Sequence, residues 1–130
     1  MVWFRRTLTA DEGVAHRYTA SLVDPDDAAI GAANLVTLTI TLYDEKTNEI
    51  INSRNEQNAL NANGVTVADG AAGTVLTWQA EAADMPIVDD TLDSEVHIAR
   101  FAFTYGPNAI PGAHEVAIRV KNRELSPGVV

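Results

Sequence analysis

The chain has 130 residues, of which 46% are hydrophobic and 21% are charged, a balance typical of one folded domain with a single core. It has no cysteine, which excludes disulfides, a thiolate nucleophile and a zinc–sulfur site. The 18 acidic residues outnumber the 9 lysines and arginines, and the net charge of -9 argues against binding to nucleic acid or to an anionic membrane surface.

The chain is predicted to have three parts. Residues 1–9 form an N-terminal arm, residues 10–124 form a β-sandwich domain, and residues 125–130 form a C-terminal tail that contains a Pro-Gly pair. No apolar run is long enough to span a bilayer, and the apolar start precedes the first basic pair, which is the reverse of a signal peptide. We therefore expect synthesis in the cytoplasm without export.

The N-terminal arm combines bulky apolar and basic residues. Trp3 and Phe4 stand directly before Arg5 and Arg6, and aromatic residues beside arginines are typical of interface anchors with a charged rim. We expect these four residues to pack on another protein. The alternative is that the segment is a first strand that covers an edge of the sandwich.

Alternation of apolar and polar residues predicts about seven strands. The clearest lies over residues 35–43, where three threonines separate apolar side chains of the opposite face. The alternation predicts an all-β, immunoglobulin-like antiparallel sandwich, with a small closed barrel as the alternative. The predicted core consists of Val36, Leu38, Ile40, Leu42, Leu76, Trp78, Phe101, Phe103, Val116, Ile118 and Val120.

A search for catalytic or metal-binding patterns finds none that selects a site. His16, His97 and His114 are not spaced as a ligand pair, so we interpret His97 and His114 as half-buried strand residues with local hydrogen bonds. The acidic clusters at residues 24–27 and 89–95 do not match a calcium loop. We therefore expect no metal, no cofactor and no enzymatic activity, and a small hydrolase is the least favoured alternative.

One segment has an unusual charge distribution. From Glu81 to Glu95 there are six acidic residues and no lysine or arginine, whereas much of the basic charge lies near the two termini. Such polarity favours contact between the basic ends of one copy and the acidic loop of a neighbour, and the alternative is a simply solvated loop. The acidic residues of the predicted interface are Glu81, Asp84, Asp89 and Asp90.

Five segments between residues 35 and 122 carry a family resemblance. They are VTLTITLYD at 36–44, NANGVTV at 61–67, GTVLTW at 73–78, EVHIARF at 95–101, and GAHEV at 112–116 followed by RVKN at 119–122. In this order they resemble the small immunoglobulin-like virion structural proteins of tailed bacteriophages, such as head, neck and baseplate modules.

The resemblance implies a structural role in a phage particle. Such a protein decorates the capsid or joins head, neck and tail components in many copies, with other virion proteins and copies of itself as partners. The implied location is the virion, after synthesis in the bacterial host cytoplasm. The alternative function is a carbohydrate-binding sandwich used in host attachment, with Trp3 and Tyr43 as exposed stacking residues.

Overall fold

The computed structural model of the protein describes residues 3–23, 30–71 and 73–122, with side chains from Thr7 onward. These residues form eight strands and two short 3₁₀ turns, at Ala32–Asn34 and Ala82–Asp84. The strands are β1 (Trp3–Asp11), β2 (His16–Leu22), β3 (Leu35–Asp44), β4 (Gln57–Asn58), β5 (Val65–Gly70), β6 (Gly73–Ala80), β7 (Ser94–Tyr105) and β8 (Ile110–Lys121).

The strands form two sheets that pack face to face. One sheet has five strands in the order β1-β8-β7-β3-β4, and the other has three in the order β2-β6-β5. All neighbouring strands are antiparallel except β1 and β8, which run parallel. The prediction of an all-β immunoglobulin-like sandwich is therefore confirmed, with one parallel pair that the sequence pattern did not indicate.

Strand β1 corrects the predicted N-terminal arm. From Trp3, opposite Ala113, to Asp11, opposite Lys121, this segment pairs continuously with β8. The prediction that it leaves the sandwich is wrong from Trp3 onward, and the predicted boundary after residue 9 falls inside the strand. The physical reason is that β8 has polar backbone groups along this edge, which β1 pairs. Residues 1–2 and the predicted tail at 125–130 lie outside the described residues.

The core lies between the two sheets and centres on an aromatic cluster. Trp78 of β6 is 1% exposed and meets Phe101 of β7 edge-on, with ring centroids 5.8 Å apart. Tyr18 of β2 stacks on the same phenylalanine at 6.5 Å. Each predicted core residue except Val36 is buried, which confirms the alternation of β3, β6, β7 and β8.

Val36 is the exception because the start of β3 is irregular. Its side chain is 52% exposed, whereas the preceding Leu35 is 8% exposed and belongs to the core. The pairing of β3 with β7 shifts between Leu35 and Thr37, as in a β-bulge. An extra residue in one strand reverses the faces on either side of it, so the predicted alternation holds only from Leu38 onward.

Candidate functional site

The basic half of the predicted interface lies on an outer strand. Residues 3–6 occupy the first part of β1, opposite residues 113–116 of β8. Within the described residues β1 is an edge strand, with β8 as its neighbour on one side and no strand on the other. The assignment of Trp3, Phe4, Arg5 and Arg6 to an interface stays a prediction.

The acidic half of the predicted interface divides into exposed and buried residues. Glu81 and Asp90 are exposed and Asp89 is half-buried, but Asp84 is 0% exposed. The prediction that Asp84 contacts a partner is therefore wrong, because its carboxylate is used inside the molecule.

Asp84 forms a buried ion pair with Arg54. Arg54 Nε donates to Asp84 Oδ1 at 2.6 Å, and Nη2 donates to Oδ2 at 3.1 Å. Arg54 Nη1 also donates to Gln57 Oε1 at 2.8 Å and to the carbonyl oxygen of Asn63 at 2.9 Å. Asp84 accepts a further bond from Asn52 Nδ2 at 2.8 Å. The pair therefore links the loop before β4 to the second 3₁₀ turn. Its role is structural.

Asp89 is held in its charged form by a neighbouring threonine. The backbone N–H and the hydroxyl of Thr91 donate to Asp89 Oδ1 at 3.0 and 2.6 Å. The hydroxyl bond, followed by the backbone bond, lowers the pKa of the Asp89 carboxyl below its ordinary value. Asp89 thus remains an acidic group of the loop, available for the predicted interface.

A second buried polar cluster, which we call the DEH cluster, consists of Asp44, Glu95 and His97. Asp44 ends β3 and lies opposite His97 of β7, and Glu95 lies two residues before His97 in the same strand. Side chains two apart in a strand share a face, so the strand pairing brings the three groups together. They are 3%, 7% and 0% exposed, respectively.

The groups of the DEH cluster are close but incompletely hydrogen-bonded. His97 Nε2 lies 2.7 Å from Glu95 Oε1 and 3.9 Å from Asp44 Oδ1. The backbone N–H groups of Val88 and Asp89 donate to the two oxygens of Glu95, at 2.6 and 3.1 Å. Asp44 Oδ1 and His97 Nδ1 are buried and have no hydrogen-bond partner in the part of the chain that the structure describes.

The DEH cluster is a potential metal-binding group that the spacing of the histidines did not reveal. One ligand atom from each residue lies within 4.8 Å of the others. The signal in the sequence was the Glu-x-His pattern of one strand, but the contribution of Asp44 depends on the pairing of β3 with β7. His114, the other histidine expected to be half-buried, is also buried, and it bonds to the hydroxyl of Tyr18 in the opposite sheet.

A cavity of about 270 Å³ lies beside the DEH cluster. Asp44 and Glu95 contribute to its wall, together with residues of the β3–β4 turn and of the loop before β7. The described residues that line it are Asp44, Glu45, Lys46, Thr47, Asp89, Leu92, Ser94, Glu95, Val96 and Arg119.

A separate polar groove of about 360 Å³ lies on the outer face of the five-stranded sheet. Among the described residues, its lining includes Thr39, Thr41, Tyr43, Asn48, Asn55, Glu56, Arg100 and Ala102. It contains Tyr43 of β3, and Trp3 belongs to β1, which is three strand spacings from β3, about 14 Å across the sheet. The stacking role of Trp3 and Tyr43 stays a prediction.

Comparisons with known proteins add little about function. No family model matches the chain, and no curated protein matches it. Among solved structures, titin domain M7 is similar over 89% of this chain and 86% of that chain, with 9% sequence identity and a TM-score of 0.34. In the part of the chain that the structure describes, no helix has the length and apolar character needed to cross a bilayer.

Proposed function

We propose that this protein is a non-enzymatic structural component of a tailed-bacteriophage particle, which decorates the capsid or joins head, neck and tail parts through protein–protein contacts repeated over many copies. The five segments that resemble phage virion proteins support this proposal. They contribute most of β3, β6, β7 and β8 and half of β5, so the resemblance extends over both sheets.

The observation that carries the proposal is the open edge of β1. This strand is nine residues long, and within the described residues no strand pairs with its outer side. An open edge of this length is a template for pairing with a strand of another chain. In a particle with many copies, such pairing would bury an edge that otherwise promotes aggregation.

Charge supports the same surface as a contact between copies or with other virion proteins. Arg5 and Arg6 add two positive charges to β1, and Glu81, Asp89 and Asp90 lie in a segment without lysine or arginine. Complementary charges of this kind set the approach and register of a contact.

The test is incorporation into particles. We expect mass spectrometry of purified phage particles to detect the protein in many copies, when the phage genome encodes this chain. Replacing both Arg5 and Arg6 with glutamate should reduce incorporation while the melting temperature of the isolated protein is retained. Arg17→Glu, which changes an exposed arginine of β2 in the other sheet, is the matched control. Particles without the protein, or equal incorporation of the double variant, would contradict the proposal.

The second candidate function is carbohydrate binding, and the groove around Tyr43 favours it. An aromatic ring beside amide, carboxylate and guanidinium groups is the chemistry that sugar hydroxyls and apolar ring faces require. Glycan-array binding that disappears in Tyr43→Ala, and persists in a Thr37→Ala control, would establish this function instead. Thr37 is exposed on the same strand but does not line the groove.

A further inference from the structure

We propose that the DEH cluster binds one divalent transition-metal ion through Asp44 Oδ1, Glu95 Oε1 and His97 Nε2. This inference is independent of the phage proposal, since it concerns a buried site away from the edge of β1. It rests on the close placement of two carboxylates and one imidazole and on the incomplete bonding of the cluster.

The first step is that the described residues do not complete the cluster. Asp44 is 3% exposed, and its Oδ1 has no hydrogen-bond donor among them. His97 Nε2 is 3.9 Å from this oxygen, which is too long for a hydrogen bond. A buried carboxylate oxygen without a partner is costly, and a cation placed between these two atoms would remove that cost.

The second step is that the carboxylates are already held in position. Thr47 donates to Asp44 Oδ2 through both its backbone N–H and its hydroxyl, each at 2.9 Å. The backbone N–H groups of Val88 and Asp89 hold Glu95. Such outer contacts orient metal ligands and are part of a working site. Asp44 Oδ1, in contrast, is left open on the side that faces the imidazole.

The third step concerns the ion. Metal–ligand bonds of about 2.0–2.2 Å to nitrogen and oxygen require small movements of atoms that already lie within 4.8 Å of one another. Imidazole with carboxylates suits zinc, iron, cobalt or nickel better than calcium or magnesium, which prefer oxygen alone. Lys46 and Arg119 line the adjoining cavity, so selectivity has to come from direct ligation rather than from a generally negative field.

The fourth step concerns the histidine lone pair and the access to the site. A single hydrogen bond joins His97 Nε2 and Glu95 Oε1, and a metal ion placed between these atoms replaces it. A neutral imidazole has one proton, so Nε2 binds the ion through its lone pair when that proton is on Nδ1. Asp44 and Glu95 line the cavity beside the cluster, which provides the entry path for the ion.

The experiment is isothermal titration of tag-free, chelator-treated protein with ZnCl₂, with MnCl₂ and CaCl₂ in parallel. We expect one zinc ion per chain and a rise in melting temperature that calcium does not produce. In His97→Gln and Asp44→Asn, affinity should fall by at least about tenfold. His16→Gln and Asp90→Asn, which change residues outside the cluster, should bind zinc like the wild type.

Two variants are used because a core substitution at His97 can prevent folding. Circular dichroism identifies which variants are folded, and Asp44→Asn retains the acceptor for the Thr47 bonds. Absence of 1:1 zinc binding by the wild-type protein would overturn the proposal, as would undiminished binding by folded Asp44→Asn. Either result leaves the proposed role in a phage particle unaffected, because that role is tested by incorporation.

Discussion

Two buried polar clusters of this sandwich differ in how completely the chain satisfies them. Around Arg54 and Asp84, both carboxylate oxygens and the three guanidinium nitrogens have partners at 2.6–3.1 Å. In the DEH cluster, Asp44 Oδ1 and His97 Nδ1 have no partner among the described residues. The two clusters are similarly buried, so exposure does not account for the difference.

The difference separates a structural cluster from a candidate binding site. A fully bonded buried pair has no polar atom left for a ligand, and removing the pair lowers the free energy of unfolding. An incompletely bonded cluster beside a cavity leaves ligand atoms available to an ion. The two aspartates, Asp84 and Asp44, therefore allow the same substitution to be compared in both settings.

The largest effect is expected for Asp84→Asn. The change leaves the buried Arg54 guanidinium without a counter-charge and turns an amide N–H₂ toward other donors, so the free energy of unfolding should fall by about 3–5 kcal/mol. Chemical denaturation monitored by circular dichroism measures this. Asp90→Asn, an exposed aspartate in the same loop, is the matched control and should change stability by less than about 0.5 kcal/mol. Equal effects would show that the buried pair is not a structural cluster.

A smaller loss is expected when both members of the pair are replaced by apolar residues. Arg54→Met combined with Asp84→Leu removes both charges, so the double variant should be more stable than Asp84→Asn although it contains one more substitution. The same denaturation experiment measures the free energy of unfolding of the double variant and of Asp84→Asn. A double variant that is less stable than the single one would mean that the bonds to Gln57 and Asn63 contribute more than the ion pair.

Asp44→Asn should have a still smaller effect in metal-free buffer. The amide oxygen can accept the bonds from Thr47, and the change removes an oxygen that has no partner, so stability should stay within about 1 kcal/mol of the wild type. Denaturation in the presence of a chelator measures this value. A loss as large as that of Asp84→Asn would abolish the distinction between the two clusters.

The smallest effect concerns the exposed acidic loop. Thr91→Ala removes the hydroxyl that donates to Asp89, so the pKa of Asp89 should rise toward its ordinary value. Because the folded-state pKa is lowered, the contribution of this carboxylate to stability is present above the unfolded pKa and is lost as the pH falls through the folded pKa. An NMR titration of the Asp89 carboxyl measures the change, with Asp90 as the internal reference. If the pKa of Asp89 does not change, the hydroxyl bond of Thr91 is not the cause of the lowered pKa.

The sequence pattern predicts the parts of the fold that depend on alternation. The inward faces of β7 and β8 and most of β3 follow from period-two spacing, which is a local property. The exposure of Val36 does not follow from this spacing, because a bulge depends on the partner strand. The parallel pairing of β1 with β8 joins segments about a hundred residues apart in the chain, and no local signal specifies it.

The two polar clusters show the same limit. The acidic segment around Asp84 predicts an interface role for this residue, but its actual partner, Arg54, is 30 residues away. Glu95 and His97 carry a local signal, but Asp44 joins them only through the register of β3 against β7. Sequence reasoning therefore identifies residue types and faces, whereas the partners of buried charges come from the long-range pairing of strands.

The most direct test of the difference between the two clusters is X-ray diffraction from crystals grown with zinc, with data collected on both sides of the zinc absorption edge. We expect an anomalous difference peak bonded to Asp44 Oδ1, Glu95 Oε1 and His97 Nε2, and none at Arg54 and Asp84. A DEH cluster without such a peak, in which His97 Nε2 keeps its hydrogen bond to Glu95, would contradict the account.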